Sequence, residues 1–120
     1  MQSKYNNRKV RCWGETFDSM LECERYKYLK ALEQQKVISN LRRQVKYVLL
    51  PSQKDSKTQK TIEREITYLA DFVYEKGSQT IVEDVKGMKT DVYKIKRKLM
   101  LYFHGIQIKE VTKETRTWAV

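Results

Sequence analysis

No stretch of the 120-residue sequence approaches the roughly 18 consecutive apolar residues of a membrane span. The opening "MQSKYNNRKV" lacks the apolar middle of a secretory signal, so the expectation is a soluble, intracellular protein with no membrane partner. Cysteine is scarce: Cys12 and Cys23 have no histidine at metal-site spacing, which excludes a zinc module and leaves reduced thiols as the expectation. The single histidine, His104, falls where a helix should end and reads as a C-terminal cap rather than a general base. Repeats and low-complexity tracts are absent, which excludes solenoid and fibrous architectures.

What is present is charge. The 25 Lys and Arg against 15 Asp and Glu leave a formal net charge of +10, which favours a polyanionic partner, with nucleic acid first among them. The excess sits in residues 1–50 and 91–120, because residues 51–90 carry seven basic and seven acidic side chains. Acids inside a basic protein gain nothing from a phosphate-facing surface unless a metal ion lies between them. Length and a 40% hydrophobic content suit one compact domain over residues 1–120, with residues 1–8 frayed.

Local patterns give an element order. "KVRCWGETF" alternates about Gly14 and reads as a short hairpin. A helix over about 19–35 follows from Asp18 or Ser19 as N-cap and from Leu21, Tyr28 and Leu32 on one stripe, with Leu29 close by. "VKYVLLP" is a β-rich run closed by Pro51, and residues 52–61 form an exposed loop or hairpin tip. "EITYLADFVYE" and "TIVEDVKG", split by the turn "KGSQ", read as adjacent antiparallel strands. Thr90 as N-cap, Val92, Ile95 and Leu99 on one face and Gly105 as a stop predict a second helix, and "IQIKEV" a last strand. The fold class is α/β, a mixed central sheet covered by helices.

Alternation along "TIVEDVKG" puts Val82, Asp84 and Lys86 on one face and Ile81, Glu83 and Val85 on the other, with Asp84 and Lys86 about 7 Å apart at the backbone. Asp71 interrupts an otherwise apolar strand, where an unpaired carboxylate would cost several kcal/mol, so it wants a cation. Strand pairing brings it near Asp84. Two such acids and the Val85 carbonyl make a hard-oxygen site suited to Mg²⁺ or Mn²⁺, an ion that can bind a scissile phosphate and activate water. Lys86 would orient or deprotonate that water. Glu22, roughly 20° around the helix from Leu29, is a third acid; Glu24 is worse placed.

The ordered set Glu22, Asp71 and Asp84-Val85-Lys86 resembles the active-site signature of the PD-(D/E)XK nuclease superfamily, with its restriction-endonuclease-like core. "FDSMLECERYKYL", "LRRQVKY", "LADFVY" and "VEDVKGMKTDVYKIKRKL" look more closely like a small phage-encoded family within it, over about residues 5–111. That family's "FDSKxEA" stands where this chain has Phe17 to Cys23, and its "VEDVKG" matches Val82 to Gly87. Ala70 replaces the superfamily's nominal proline, which is not a ligand.

The resemblance implies Glu22, Asp71 and Asp84 as metal-coordinating acids, Lys86 as catalytic lysine and Gln44 as a secondary site residue. It also implies a Mg²⁺- or Mn²⁺-dependent DNA endonuclease or nickase of phage type, acting in the bacterial cytoplasm. The rival for Asp71 is a buried ion pair with Arg64 or Arg97, and for Glu22 a solvated pairing with Tyr26 or Lys30. Glu83, facing away, reads as a pairing or surface acid. Arg42, Arg43, Lys46, Lys94, Arg97 and Lys98 are the candidate DNA-backbone contacts, while Trp13 and the eight tyrosines read as core or sheet filler. A non-catalytic DNA-binding module on the same fold, or a protein-binding accessory factor, are the alternative functions. Cutting of branched DNA, as by a junction resolvase, would require a homodimer.

Overall fold

The computed structural model describes residues 9–114 of the chain. The expectation of a frayed start at residues 1–8 lies outside the described residues. Strands β1 (Val10–Cys12) and β2 (Glu15–Phe17) form the expected hairpin, turning through Trp13 and Gly14 at φ 52° and 80°. Two successive left-handed residues match the right-handed twist of a tight hairpin, and glycine adopts that geometry without steric cost. Helix α1 (Met20–Gln34) starts where Ser19 accepts a hydrogen bond from the Glu22 amide at 3.1 Å, an N-cap that fixes Glu22 in the first turn.

A long strand β3 (Ser39–Leu50) follows, then a small ribbon of β4 (Gln53–Lys54) and β5 (Thr61–Glu63) at the exposed tip. Strands β6 (Ile66–Lys76) and β7 (Gln79–Val85) make the expected antiparallel pair. Thr90 caps helix α2 (Asp91–His104), which ends at Gly105 with φ 65°, its amide bonded to the Leu101 carbonyl. Strand β8 (Lys109–Val111) then pairs parallel to β7. The central sheet has the order β3-β6-β7-β8, antiparallel except at β7–β8, which is the mixed sheet expected. Among the described residues no helix is long and apolar enough to cross a membrane.

Two cores sandwich the sheet. Phe17, Cys23, Tyr26 and Leu29 pack on Phe72 and Tyr74 on the α1 side, while Tyr93 and Met100 pack with Tyr68, Ala70, Val73 and Val82 on the α2 side. The expected faces are met in part: Leu29 is buried and Leu32 and Leu99 pack against the cores, but the rest of each buried face differs. In α1 the buried residues are Glu22, Cys23, Arg25, Tyr26 and Leu29, and in α2 they are Tyr93 and Met100, with Val92 61% and Ile95 57% exposed. In α1 the reason is that Glu22 and Arg25 have partners inside the fold and occupy core-facing positions beside Cys23, Tyr26 and Leu29.

Three further expectations are corrected. Cys12 and Cys23 are not separate thiols: their Cα atoms lie 6.2 Å apart and the pair forms a disulfide that ties the hairpin to α1. His104 does not cap its own helix, because its Nε2 lies 2.9 Å from the Val48 carbonyl and its ring stands edge-on to Tyr47, joining α2 to β3. Trp13 is no core filler; it is 63% exposed at the hairpin tip, beneath the Lys27 ammonium.

Candidate carboxylate and lysine site

The site grows from an interruption in strand β6. Tyr68 and Ala70 face the α2 core, yet Phe72 and Tyr74 face the α1 core, so the alternation of a regular strand breaks at Asp71. The β3–β6 register runs through Arg43↔Phe72 and Val45↔Ala70, which leaves Gln44, at φ 54°, opposite Asp71. A non-glycine residue in that conformation is held there by its surroundings, and such residues gather at functional sites. On the other side the β6–β7 pairing stops at Phe72↔Glu83. Where the strands part, Asp71 Oδ2 replaces a backbone acceptor and takes the Val85 amide at 2.7 Å.

Glu22 reaches the same place from α1. It is 3% exposed, and its Oε1 lies 3.4 Å from Arg43 Nη2 and 3.5 Å from Gln44 Nε2. Gln44 Nε2 is also 3.5 Å from Asp71 Oδ1, so this amide bridges Glu22 and Asp71. Asp84, 2% exposed, accepts from the Tyr68 hydroxyl at 2.9 Å through Oδ1. Its Oδ2 makes an ion pair with Lys86 Nζ at 3.1 Å without hydrogen-bond alignment. The Lys86 ammonium lies 4.3 Å above the Tyr93 ring, and the Tyr93 hydroxyl donates to Glu110 at 2.7 Å. A groove of about 400 Å³, lined by Ser19, Met20, Leu21, Val85, Lys86 and Gly87 among others, opens beside the lysine.

The electrostatics follow from burial and crowding. Burial raises the Asp71 carboxyl to about 7, and the Asp84 and Glu22 charges add to it, against the Val85 amide and Lys86. Glu22 and Asp84 are also raised, first by burial; Arg43 opposes this at Glu22, and Lys86 and Tyr68 oppose it at Asp84. Glu110, across the parallel ladder from Asp84, goes the other way: despite its burial, the Tyr93, Lys89 and Arg97 donors hold it at about 2.

A pH dependence results. Because the folded state binds a proton at Asp71 more tightly than the unfolded chain does, this contribution is fully present below about pH 4 and is lost as pH rises through about 7. In metal-free buffer the melting temperature is expected to fall between pH 5 and 8, by a stability change bounded at about 4 kcal/mol, and Asp71→Asn should flatten the slope. A wild-type curve that is level or rises over that range would refute the crowded-carboxylate description.

The fold thus gathers Glu22, Gln44 and Asp71 in one contact chain and Asp84 with Lys86 in a second, joined through Val85. Among the described residues no three His, Cys, Asp or Glu side chains form a ready-made metal cage. The expected rivals do not occur: Asp71 pairs with neither Arg64 nor Arg97, and Glu22 does not pair with Tyr26 or Lys30. Glu83 is a pairing acid, held by both Arg25 and Tyr74.

Of the candidate phosphate contacts, Arg43 and Arg97 are better described as supports. Arg43 is clamped by Glu15 at 2.8 Å and stacked 3.8 Å over Phe17, and Arg97 holds Glu110 at 2.9 Å. Arg42 pairs with Glu75 at 2.8 Å and Lys46 with Glu65 at 3.6 Å, whereas Lys94 and Lys98 stand exposed on α2. Tyr68, Tyr93 and Glu110 were not singled out from sequence. Tyr68 carried a signal, as a polar-tipped residue in a strand that also bears Asp71; Glu110 carried none.

Fold and site together define a mixed-sheet α/β domain with a buried Asp84, a half-buried Asp71 and a lysine at the point where two central strands separate. The chain belongs to the DUF1064 family, described as proteins of unknown function, whose model matches residues 2–117. No curated protein and no solved structure matches it.

Proposed function

We propose that the protein is a divalent-metal-dependent DNA endonuclease or nickase with a restriction-endonuclease-like core. The observation that carries this reading is the Asp84–Lys86 ion pair beside an Asp71 whose carboxylate is fixed by the Val85 amide. The donor set fits a hard cation, since buried, crowded carboxylates with raised proton affinity are what a bound Mg²⁺ or Mn²⁺ relieves. Asp71, Asp84 and the Val85 carbonyl, with Glu22, would hold it, and when bound it supplies charge stabilisation at a phosphodiester and a more acidic water.

The chain's own residues do the rest. Lys86, held between Asp84 and the Tyr93 ring, presents an ammonium to a phosphate oxygen or orients a water molecule at its Nζ. Gln44 keeps Glu22 and Asp71 at a fixed separation. The +10 charge and the exposed Lys94 and Lys98 draw the DNA backbone towards the groove. Structure-selective cutting of branched DNA, as by a junction resolvase, would require two copies of this site in a homodimer.

Purified protein is expected to nick or cut members of a panel of duplex, single-stranded and branched DNAs with Mg²⁺ or Mn²⁺ and not with EDTA, and Asp84→Asn should remove the activity while keeping the fold. Undiminished cleavage by Asp84→Asn would sink the site assignment. A second reading, a non-catalytic DNA-binding module, is favoured by the absence of a ready-made cage among the described residues. It predicts salt-sensitive DNA binding, no cleavage and no thermal stabilisation by Mn²⁺.

A further inference from the structure

Most partly buried cations among the described residues are matched by acids: Arg25 by Glu83, Arg42 by Glu75, Arg43 by Glu15, Lys86 by Asp84 and Arg97 by Glu110, whereas Lys96 on α2 has no acid at ion-pair distance. One groove departs from that pattern. It has a volume of about 480 Å³, lies at the β6–β7 turn on the α1 side of the sheet, and is lined by Tyr74, Lys76, Gly77, Gln79, Ile81 and Lys109. Among the described residues neither Lys76 nor Lys109 has a carboxylate at ion-pair distance. The acids that could have served are taken. Glu83, directly across the ladder from Lys109, is saturated by Arg25 at 2.8 and 2.6 Å and by Tyr74, and Glu75 is held by Arg42 and Thr80.

Two ammonium groups therefore share a concave surface, one of them half-buried. Burial lowers the proton affinity of Lys109; Glu83 opposes this, and Arg25 and Lys76 reinforce it. Like charges held together without a counter-charge are unfavourable in isolation, and an anion removes the penalty by ion-pairing with both. The volume is within the range of small-ligand sites, Gln79 offers an amide donor, and Ile81 and the Tyr74 ring supply an apolar wall.

We propose that this groove binds a phosphate group, with Lys76 and Lys109 as its counter-charges and Gln79 as a neutral donor. Its Lys76–Gln79 end lies at the far end of β7 from Asp84, roughly 17 Å away at the rise of a strand, while Lys109 stands across from Glu83, on the sheet face opposite Asp84. The phosphate is that of a small phosphorylated molecule or of a nucleic-acid backbone; the chemistry at the lysines is the same.

The test is an NMR titration of the full chain with pyrophosphate at constant ionic strength. Saturable shifts are expected at the Gly77 and Gln79 amides and the Ile81 methyls. Lys76→Gln/Lys109→Gln should weaken binding roughly tenfold or more. Lys57→Gln/Lys60→Gln, which removes the same charge from the exposed β4–β5 tip, should leave it unchanged. Shifts that never saturate, or that respond alike to both double variants, would overturn the proposal. Competition with a short single-stranded DNA assigns the source: displacement of pyrophosphate supports a backbone phosphate, and retention supports a small phosphorylated ligand. Asp84→Ala should bind pyrophosphate as wild type does, so the groove and the nuclease reading fail separately.

Discussion

Lys86→Ala is expected to lower the proposed metal-dependent DNA cleavage by roughly two to four orders of magnitude, the range for loss of one positioned acid, base or charge-stabilising group. The size of the effect comes from where the ammonium sits. It is 3.1 Å from Asp84 Oδ2 and 4.3 Å from the centre of the Tyr93 ring, so a free lysine chain has been confined to one position above the groove. Confinement before the substrate arrives spares the reaction the cost of ordering a flexible side chain.

Lys86→Arg separates the two roles open to the group. Arginine keeps the positive charge but cannot give up a proton. Substantial activity in Lys86→Arg would assign charge stabilisation, and activity as low as in Lys86→Ala would assign proton transfer or the exact shape of the ammonium. Wild-type rates in Lys86→Ala, measured beside a melting curve, would remove Lys86 from the site.

The second large effect is on stability. Arg25 and Glu83 side chains are 1% and 0% exposed and joined by two hydrogen bonds, with the Tyr74 hydroxyl also on Glu83. Removing one partner leaves an uncompensated buried charge, so Arg25→Ala or Glu83→Ala should each cost about 3–5 kcal/mol. For a domain of this size that is a fall of roughly 10–20 °C in melting temperature. Arg25→Met/Glu83→Leu, which replaces both charges by apolar groups of similar bulk, should recover most of the loss. The recovery is the informative part, since it would show that the cost arises from an orphaned charge and not from lost packing. Calorimetry of the four proteins closes the cycle, and singles within 1 kcal/mol of wild type would refute the buried-pair description.

Local elements were legible because their causes are local. Ser19 and Thr90 as N-caps, Gly105 as a left-handed stop, and the turns at Gly14 and "KGSQ" act within four residues of themselves, and each stands where it was expected. Alternation in "TIVEDVKG" was equally dependable, because the two faces of a strand are a property of backbone geometry: Glu83 went to the α1 side and Asp84 to the α2 side.

The failures have one origin as well. Counting apolar side chains chose Val92 and Ile95 for the core over Tyr93, and Leu21 and Tyr28 over Arg25. A buried charge is invisible to such counting unless its partner is known. Arg25 meets Glu83 across 58 residues and Glu22 meets Gln44 across 22, so each partner was settled by assembly of the whole sheet.

The sequence by itself determined the order of the main elements, the mixed α/β class and the pairing of Asp84 with Lys86 on one strand face, since caps, turns and alternation are short-range; it began β3 at Val45, six residues after the strand's start at Ser39. Only the tertiary structure decided that β6 changes face at Asp71, that Gln44 stands opposite in a left-handed conformation, and that Arg43 supports Glu22 from a clamp on β2. Those features depend on how far three strands stay in register before they part, and registers are set by long-range packing.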